Sequence, residues 1–339
     1  MSAVLLLVSP AAEAAPSDIA RRFADEFAVP RFQAVATAAH AQQAAWENFC
    51  TAPKRGGIET LKLSYANLSD AWSDVEFVRI GPAAVALRVE RFNWWLDRTD
   101  AAGKAMSAML AAKPQDLTVD KLATGSVAGQ GSPIIERLLY PSPAALLAKT
   151  QDGRQRCAIG VAVAREQAAI ADQIVDDWTA PDGARAALIA NKAWKNAFAT
   201  ADEAASVMMT DLVAGLEGLK DLKVAMEFHD IMNPKAVRLA EAARSGRTLS
   251  DIARNLAAIR QGLAIFLDKA TQAQKDQIDT AFADADRALK ELAAAKTDSQ
   301  RVAAVKQALP VYGTLAQTAM AVVPQATGLT LGFNNLDGD

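Results

Sequence analysis

The stretch RFQAVATAAHAQQAAWENFC, Arg31 to Cys50, decides the fold. Phe32, Val35, Ala39, Trp46 and Phe49 fall on one stripe at helical spacing, directly after Pro30, so the segment reads as an amphipathic helix. Gln42 interrupts the stripe, a polar residue where an apolar one belongs. The same helical signals recur outward along the chain, and no convincing strand pattern appears. Hydrophobic residues make up 51% of the 339 and aromatics 6%, and the abundant alanine favours helix because it gives up no side-chain entropy there. The expected fold is all-α, arranged as two tandem helical bundles.

A second helix is expected over Ile58–Ile80, ending at Gly81-Pro82, because glycine accepts a left-handed cap and proline cannot continue the ladder. RFNWWLDRTDAAGK (Arg91–Lys104) reads as a turn-rich aromatic knot, with a short helix over Ala101–Lys113 and another led in by GQGSPIIERLLY (Gly129–Tyr140). Pro141 and Pro143 mark the candidate boundary between bundles. Beyond it, helices are expected over Leu146–Trp178 and over Pro181–Leu222 with a break. Two more are expected within Asn233–Leu263, with Asn233 and Thr248 as caps and Gly246 between them. Gln272–Ala295 and Ser299–Val322 complete the set, the last kinked or broken at Pro310. The expected organisation is a leader over 1–16, bundles over 17–145 and 146–328, and a loop-like tail over 329–339.

Charge is balanced, 36 Lys+Arg against 39 Asp+Glu, with a pI near 5.6, which gives no global field for nucleic acid or anionic lipid. Partners must be recognised locally. The apolar run Ala3–Val8 followed by Ala12-Glu13-Ala14 reads as a secretory leader without its basic start, or else as an apolar tail; the run is too short to span a bilayer. In an oxidising compartment the two cysteines, Cys50 and Cys157, have one obvious use, a disulfide; the alternative is two buried thiols. Closing a loop of about 100 residues would contribute roughly 4–5 kcal/mol on the chain-entropy account.

Familiar catalytic signatures are missing. The two histidines, His40 and His229, lie in different segments, and the acids beside His229 do not converge with it on a helix. There is no H-E-x-x-H, no phosphate-binding glycine loop and no G-x-S-x-G elbow. GSVAGQG has the glycines of a nucleotide loop without a preceding strand, and Met208-Met209 reads as helix core.

Three segments, WSDVEFVRIGPAAVALRVERFNWWLDRTDAAGK (Trp72–Lys104), VAGQGSPIIERLLY (Val127–Tyr140) and EAARSGRTLSDIARNL (Glu241–Leu256), in this order and spacing, resemble the imelysin-like proteins. The resemblance runs from about Val29 to Gly328 and implies an exported, periplasmic protein of two helical bundles associated with iron uptake. Peptidase members of the family carry G-x-H-x-x-E. The corresponding positions here are Gly131 to Glu136, with Pro133 in place of the histidine, which resembles the branch that keeps only the glycine and the glutamate. A His/Glu pair at i and i+3 on a helix could share a metal ion, whereas proline offers no ligand atom.

Candidate site residues follow from these segments. With Ser132 as cap and Pro133 in the first turn, Glu136 either complements the helix dipole or is held in a crevice behind the glycine loop. Asp251 and Asn255 share a helix face bordered by Ser250, with Ser245 and Arg247 just upstream; Thr248–Asp251 also fits a capping box. The resemblance puts this polar face near Gly131 and Glu136. Trp94 and Trp95 form either a platform beside Asp97 and Arg98 or core packing, and Arg79 is the basic residue placed nearest the pocket. The resulting expectation is a non-catalytic binding or interaction protein that recognises a small ligand, a metal complex or an envelope partner. No cofactor is assigned, although iron or another divalent ion fits the resemblance. A metal-dependent peptidase is the alternative.

Overall fold

The computed structural model describes residues 16–53, 56–113, 116–140, 147 and 151–332. The leader expected before residue 16, the Pro141–Pro143 boundary and the tail beyond residue 332 lie outside the described residues. Within them the chain is helical, with no strand beyond one isolated bridge between Trp194 and Phe198.

The stretch Arg31–Cys50 is helical throughout. It lies in α2 (Val29–Thr51), which continues from α1 (Pro16–Arg22) through a π-helical turn over Phe23–Ala28. The helix α3 (Gly57–Ser73) packs against α2, and so does α8 (Gln151–Thr179) along much of its length. Contact between α2 and α8 is close because Gly160 lacks a Cβ: one built there would lie 2.3 Å from the ring of Trp46. A disulfide between Cys50 and Cys157 closes the same pair of helices across 107 residues.

These three helices each serve two hydrophobic clusters. Phe32, Val35 and Ala39 of α2, Leu68 and Trp72 of α3, and Ile170, Ile174 and Trp178 of α8 belong to the larger. Trp46 and Phe49, Leu61 and Tyr65, and Cys157, Ile159 and Val163 of the same helices belong to the smaller. Gln42 lies between the two groups of α2 residues. It is fully buried, and its amide donates to Gln167 on α8 at 2.8 Å. Gln167 in turn donates to the carbonyl of Phe92 and to Ser132 Oγ at 3.2 and 3.1 Å. Beside them Arg91 bridges Gln130 and the buried Glu166. The interruption of the apolar stripe is thus a polar layer separating two cores, tied together by these hydrogen bonds, although Gln42 Oε1 and Glu166 Oε2 are buried without a partner of their own.

Short elements fill the smaller cluster, α5 (Ala101–Ala111), α6 (Val119–Ala123) and α7 (Gly131–Leu139), whereas α4 (Arg88–Phe92) puts Val89 and Phe92 into the larger. The larger is completed by α9 (Ala184–Ile189), α10 (Ala201–Gly218), α11 (Ala225–Met232), α12 (Thr248–Phe266), α13 (Gln272–Ala294) and α14 (Asp298–Thr327). Capping boxes start α13 and α14, Thr271 with Gln274 and Thr297 with Gln300.

Four local expectations differ from the structure. The helix expected to reach Ile80 stops at Ser73, and residues 74–80 form turns under Gly81-Pro82. Pro310 lies inside a continuous α14, because Tyr312, Leu315, Ala316 and Ala319 bury that helix in the larger core and offset one missing backbone hydrogen bond. Residues 234–246 form turns instead of a helix, and Asn233 follows the end of α11. The physical cause is Asp230, whose carboxylate takes the N–H groups of Leu239 and Ala240 at 2.7 and 2.9 Å. Those donors are thereby lost to a helical ladder. Finally, Thr248 does not cap α12: its hydroxyl donates to the carbonyl of Glu241 at 2.6 Å, tying the helix start to that turn segment.

Candidate functional site

Glu136 lies on α7, buried to 8% exposure. The helix begins at Gly131, one residue before the Ser132 cap expected from the sequence, and the Ser132 hydroxyl accepts from Gln167 instead of capping. Gly131 has φ +67°, and a Cβ there would lie 2.2 Å from the carbonyl oxygen of Phe92. Only glycine therefore lets α7 start against the end of α4. One turn later, Glu136 Oε1 accepts both the backbone N–H and the hydroxyl of Ser245, at 2.8 and 2.7 Å. The two segments meet although they are 109 residues apart.

This contact forms part of the wall of a cavity of about 420 Å³. Tyr65, Ser69, Trp72 and Ser73 of α3 line one side, at spacings that keep them on one helix face. Asn93, Trp94, Trp95 and Asp97 line another, and Glu136 and Arg137 of α7 face the turn segment 235–244. Asp251 contributes from α12. Trp95 is fixed by its indole N–H, which donates to the carbonyl of Leu239 at 2.9 Å. Phe92 turns away into the core, where it stacks on Trp72 with ring centroids 4.2 Å apart.

Burial dominates the electrostatics. Asp251 is 3% exposed. Burial first, and then the charge of Glu241, push its carboxyl up to about 7, against the opposing pull of Arg247. Arg247 donates to Asp251 at 2.9 Å and also engages Asp70 on α3. Asn255 donates to the carbonyl of Ser73, so α12 is fastened to α3 along the cavity floor. Burial raises the Tyr65 hydroxyl well above the usual tyrosine range, and the carboxylate of Glu136 adds to the effect.

A second cavity of about 520 Å³ lies beyond a shared wall that includes Trp72, Asn93, Trp95 and Glu241. Lys223 lines the second cavity, with its ammonium 2.5 Å from both Glu76 and Glu241. Burial works against its charge, but the two carboxylates outweigh burial and hold its pKa above the ordinary lysine value.

Glu136, Trp94 and Asp251 thus line the first cavity, Ser245 joins it through Glu136, and Gly131 sets the start of α7. Arg79 and Asn255 line the second cavity, and Arg79 is ion-paired with Glu90 at 3.0 Å. Ser250 is exposed and lines neither. The sequence reading missed the Tyr65–Ser69–Trp72 face, whose spacing was legible, and Glu241 and Lys223, which carry no local signal.

The donor set does not suit a metal ion. Position 133 is proline, Glu136 already accepts two hydrogen bonds, and among the described residues no group of three or more His, Cys, Asp or Glu is placed to hold one. His40 pairs with Asp172 at 2.9 Å, and His229 lies 3.3 Å from Asp230. No described helix is long and apolar enough to cross a membrane.

Known proteins place this architecture. The sequence profile of the imelysin peptidase family matches residues 28–320, and the chain belongs to the imelysin family. Among solved structures it is similar to an imelysin-like protein from Psychrobacter arcticum 273-4, with 18% identity, a TM-score of 0.76, and coverage of 96% of this chain and 100% of that one. It is also similar to a protein from Parabacteroides distasonis ATCC 8503 named as an iron-regulated protein A precursor, with 14% identity, a TM-score of 0.77, and coverage of 95% and 97%. At these identities the likeness is one of fold. No curated protein sequence matches the chain.

Proposed function

We propose that this chain is an exported, periplasmic binding or interaction protein linked to iron uptake, and that the 420 Å³ cavity between α3, α7, α12 and the 235–244 turns is where it takes a small ligand, a metal complex or part of an envelope partner. The supporting observation is the state of Glu136. In a metallopeptidase of the histidine–glutamate type, this carboxylate would ligate the ion or act as base. Here its Oε1 is engaged by Ser245, and proline stands where the histidine would be. A cavity lined by acids with internal partners and by tryptophans suits recognition more than turnover. Fold alone does not assign activity, so the family's name supports peptidase chemistry only as the second reading. Export is supported by the iron-regulated precursor among the similar structures and by the disulfide, which suits an oxidising compartment.

The test is elemental analysis and calorimetry on the chain and on Glu136→Ala, combined with a ligand screen read by thermal stability. A ligand that stabilises the chain without being consumed supports the binding reading. Tight stoichiometric metal lost in Glu136→Ala, with peptide cleavage, would replace it by the peptidase.

A further inference from the structure

The charged groups around the first cavity divide into two sets. Each acid that lines it has an internal donor. Glu136 accepts from Ser245, Asp251 from Arg247, and Glu241 is paired with Lys223. Asp97 accepts the N–H groups of Ala101 and Ala102, and Asp100 accepts from Arg137. The cations of the 235–244 segment are in the opposite condition. Arg244 and Lys235 make no hydrogen bond or ion pair among the described residues, and Arg238 reaches only the carbonyl of Ala243 at 3.4 Å. All three are exposed and line the cavity. The negative groups are therefore satisfied in the walls, while uncommitted positive charge is gathered on the segment that borders them.

Cations gathered at a cavity without a direct ion-pair partner leave donors that an anion can engage. Partial burial, then Arg137 and Arg238, lower the pKa of Arg244, while Glu136 and Asp100 attract it at longer range. The guanidinium nonetheless stays charged across the accessible pH range. Its planar fork matches a carboxylate or phosphate in two parallel hydrogen bonds. The same cavity is lined by Trp94 and Trp95, which can cover the less polar body of a ligand.

We infer that the cavity takes a small organic oxyanion, carrying carboxylate or phosphate groups, with Arg244 as the residue that selects for negative charge and Arg238 and Lys235 supporting it. A metal ion presented in a polycarboxylate cage falls within this class. The inference rests on the proposed binding role of the cavity and specifies what that role recognises.

The experiment is titration calorimetry of the full chain with citrate and with inorganic phosphate, repeated on Arg244→Ala and Arg244→Lys, with circular dichroism to confirm folding. The side chain is exposed and unpartnered, so both variants should fold. Binding of either anion is expected, weakened roughly 10- to 100-fold in Arg244→Ala, less in Arg244→Lys, and weakened by added salt. Preference between citrate and phosphate identifies which oxyanion the fork fits. Absence of binding by both anions, or equal binding by Arg244→Ala, overturns the inference. A neutral sugar or peptide that stabilises wild type and Arg244→Ala equally also overturns it, while leaving the cavity as a binding site. No response to any ligand, in wild type and Glu136→Ala alike, would overturn both.

Discussion

Ser245 gives both of its hydrogens, backbone and side chain, to the same oxygen of Glu136, at 2.8 and 2.7 Å. This joins the first turns of α7 to the irregular segment before α12 across 109 residues of sequence. It also explains why an acid near a helix start can be buried without a cation of its own, since two donors to one carboxylate oxygen replace much of its lost hydration.

Ser245→Ala keeps the backbone donor and loses the hydroxyl, so it should cost roughly 1.5–3 kcal/mol, as for a hydrogen bond to a charged group. Combined with Glu136→Ala, the two losses should not add, because they remove one contact. Urea denaturation of the single and double variants measures this coupling; additive losses would show that the contact contributes nothing.

Gly131→Ala places a methyl against the carbonyl of Phe92 in a left-handed backbone conformation. A loss of roughly 2–4 kcal/mol is expected, with reduced ligand binding, since α7 carries Glu136. Retention of wild-type stability would mean that α7 can shift away from α4 without cost.

Asp251 gives stability a definite pH dependence. Its folded carboxyl titrates near 7 against an ordinary 3.8, so the folded chain holds a proton that the unfolded chain has released. The stabilisation from this group is complete at pH values below the unfolded pKa and is lost as pH rises through the folded one. Asn does not titrate. Asp251→Asn should therefore gain on wild type by a few kcal/mol between about pH 4 and pH 8. Parallel stability curves for the two proteins over that range would contradict the assignment.

Removing the Cys50–Cys157 bond by Cys157→Ser should lower stability by about 4–5 kcal/mol at most, because the bond closes a loop of 107 residues. Reductant should lower the wild-type Tm similarly and leave the variant unchanged. A Tm insensitive to both would show that the smaller core holds α2 to α8 unaided.

Gln42→Leu leaves the carbonyl oxygen of Gln167 without its donor inside the polar layer, at an expected cost of roughly 1–3 kcal/mol. Gln42→Leu/Gln167→Leu should cost less than the sum of the two single changes, because one shared hydrogen bond is removed. Thermal or chemical denaturation of the set decides the point.

The all-α class, most helix positions and the pairing of the two cysteines could be read from residue order, because helical periodicity and caps act over a few residues and a chain with two cysteines allows one pairing. Gln42 was visible as an interruption of a stripe, but its meaning was not: a buried glutamine needs Gln167, 125 residues away. The same limit applies to the site. Glu136, Asp251 and Trp94 stood out by motif or resemblance, while Arg244 and Lys223 acquire meaning only from what surrounds them, one without a direct ion-pair partner and the other holding two. Tertiary structure also decided the segment 234–246. Its sequence has helical character, but Asp230 takes two of its N–H groups and Glu241 reaches Lys223, so the chain follows partners that a local pattern cannot contain. Local order thus set the helices, while long-range hydrogen bonds and burial set where charge is satisfied and which cations stay without a direct partner.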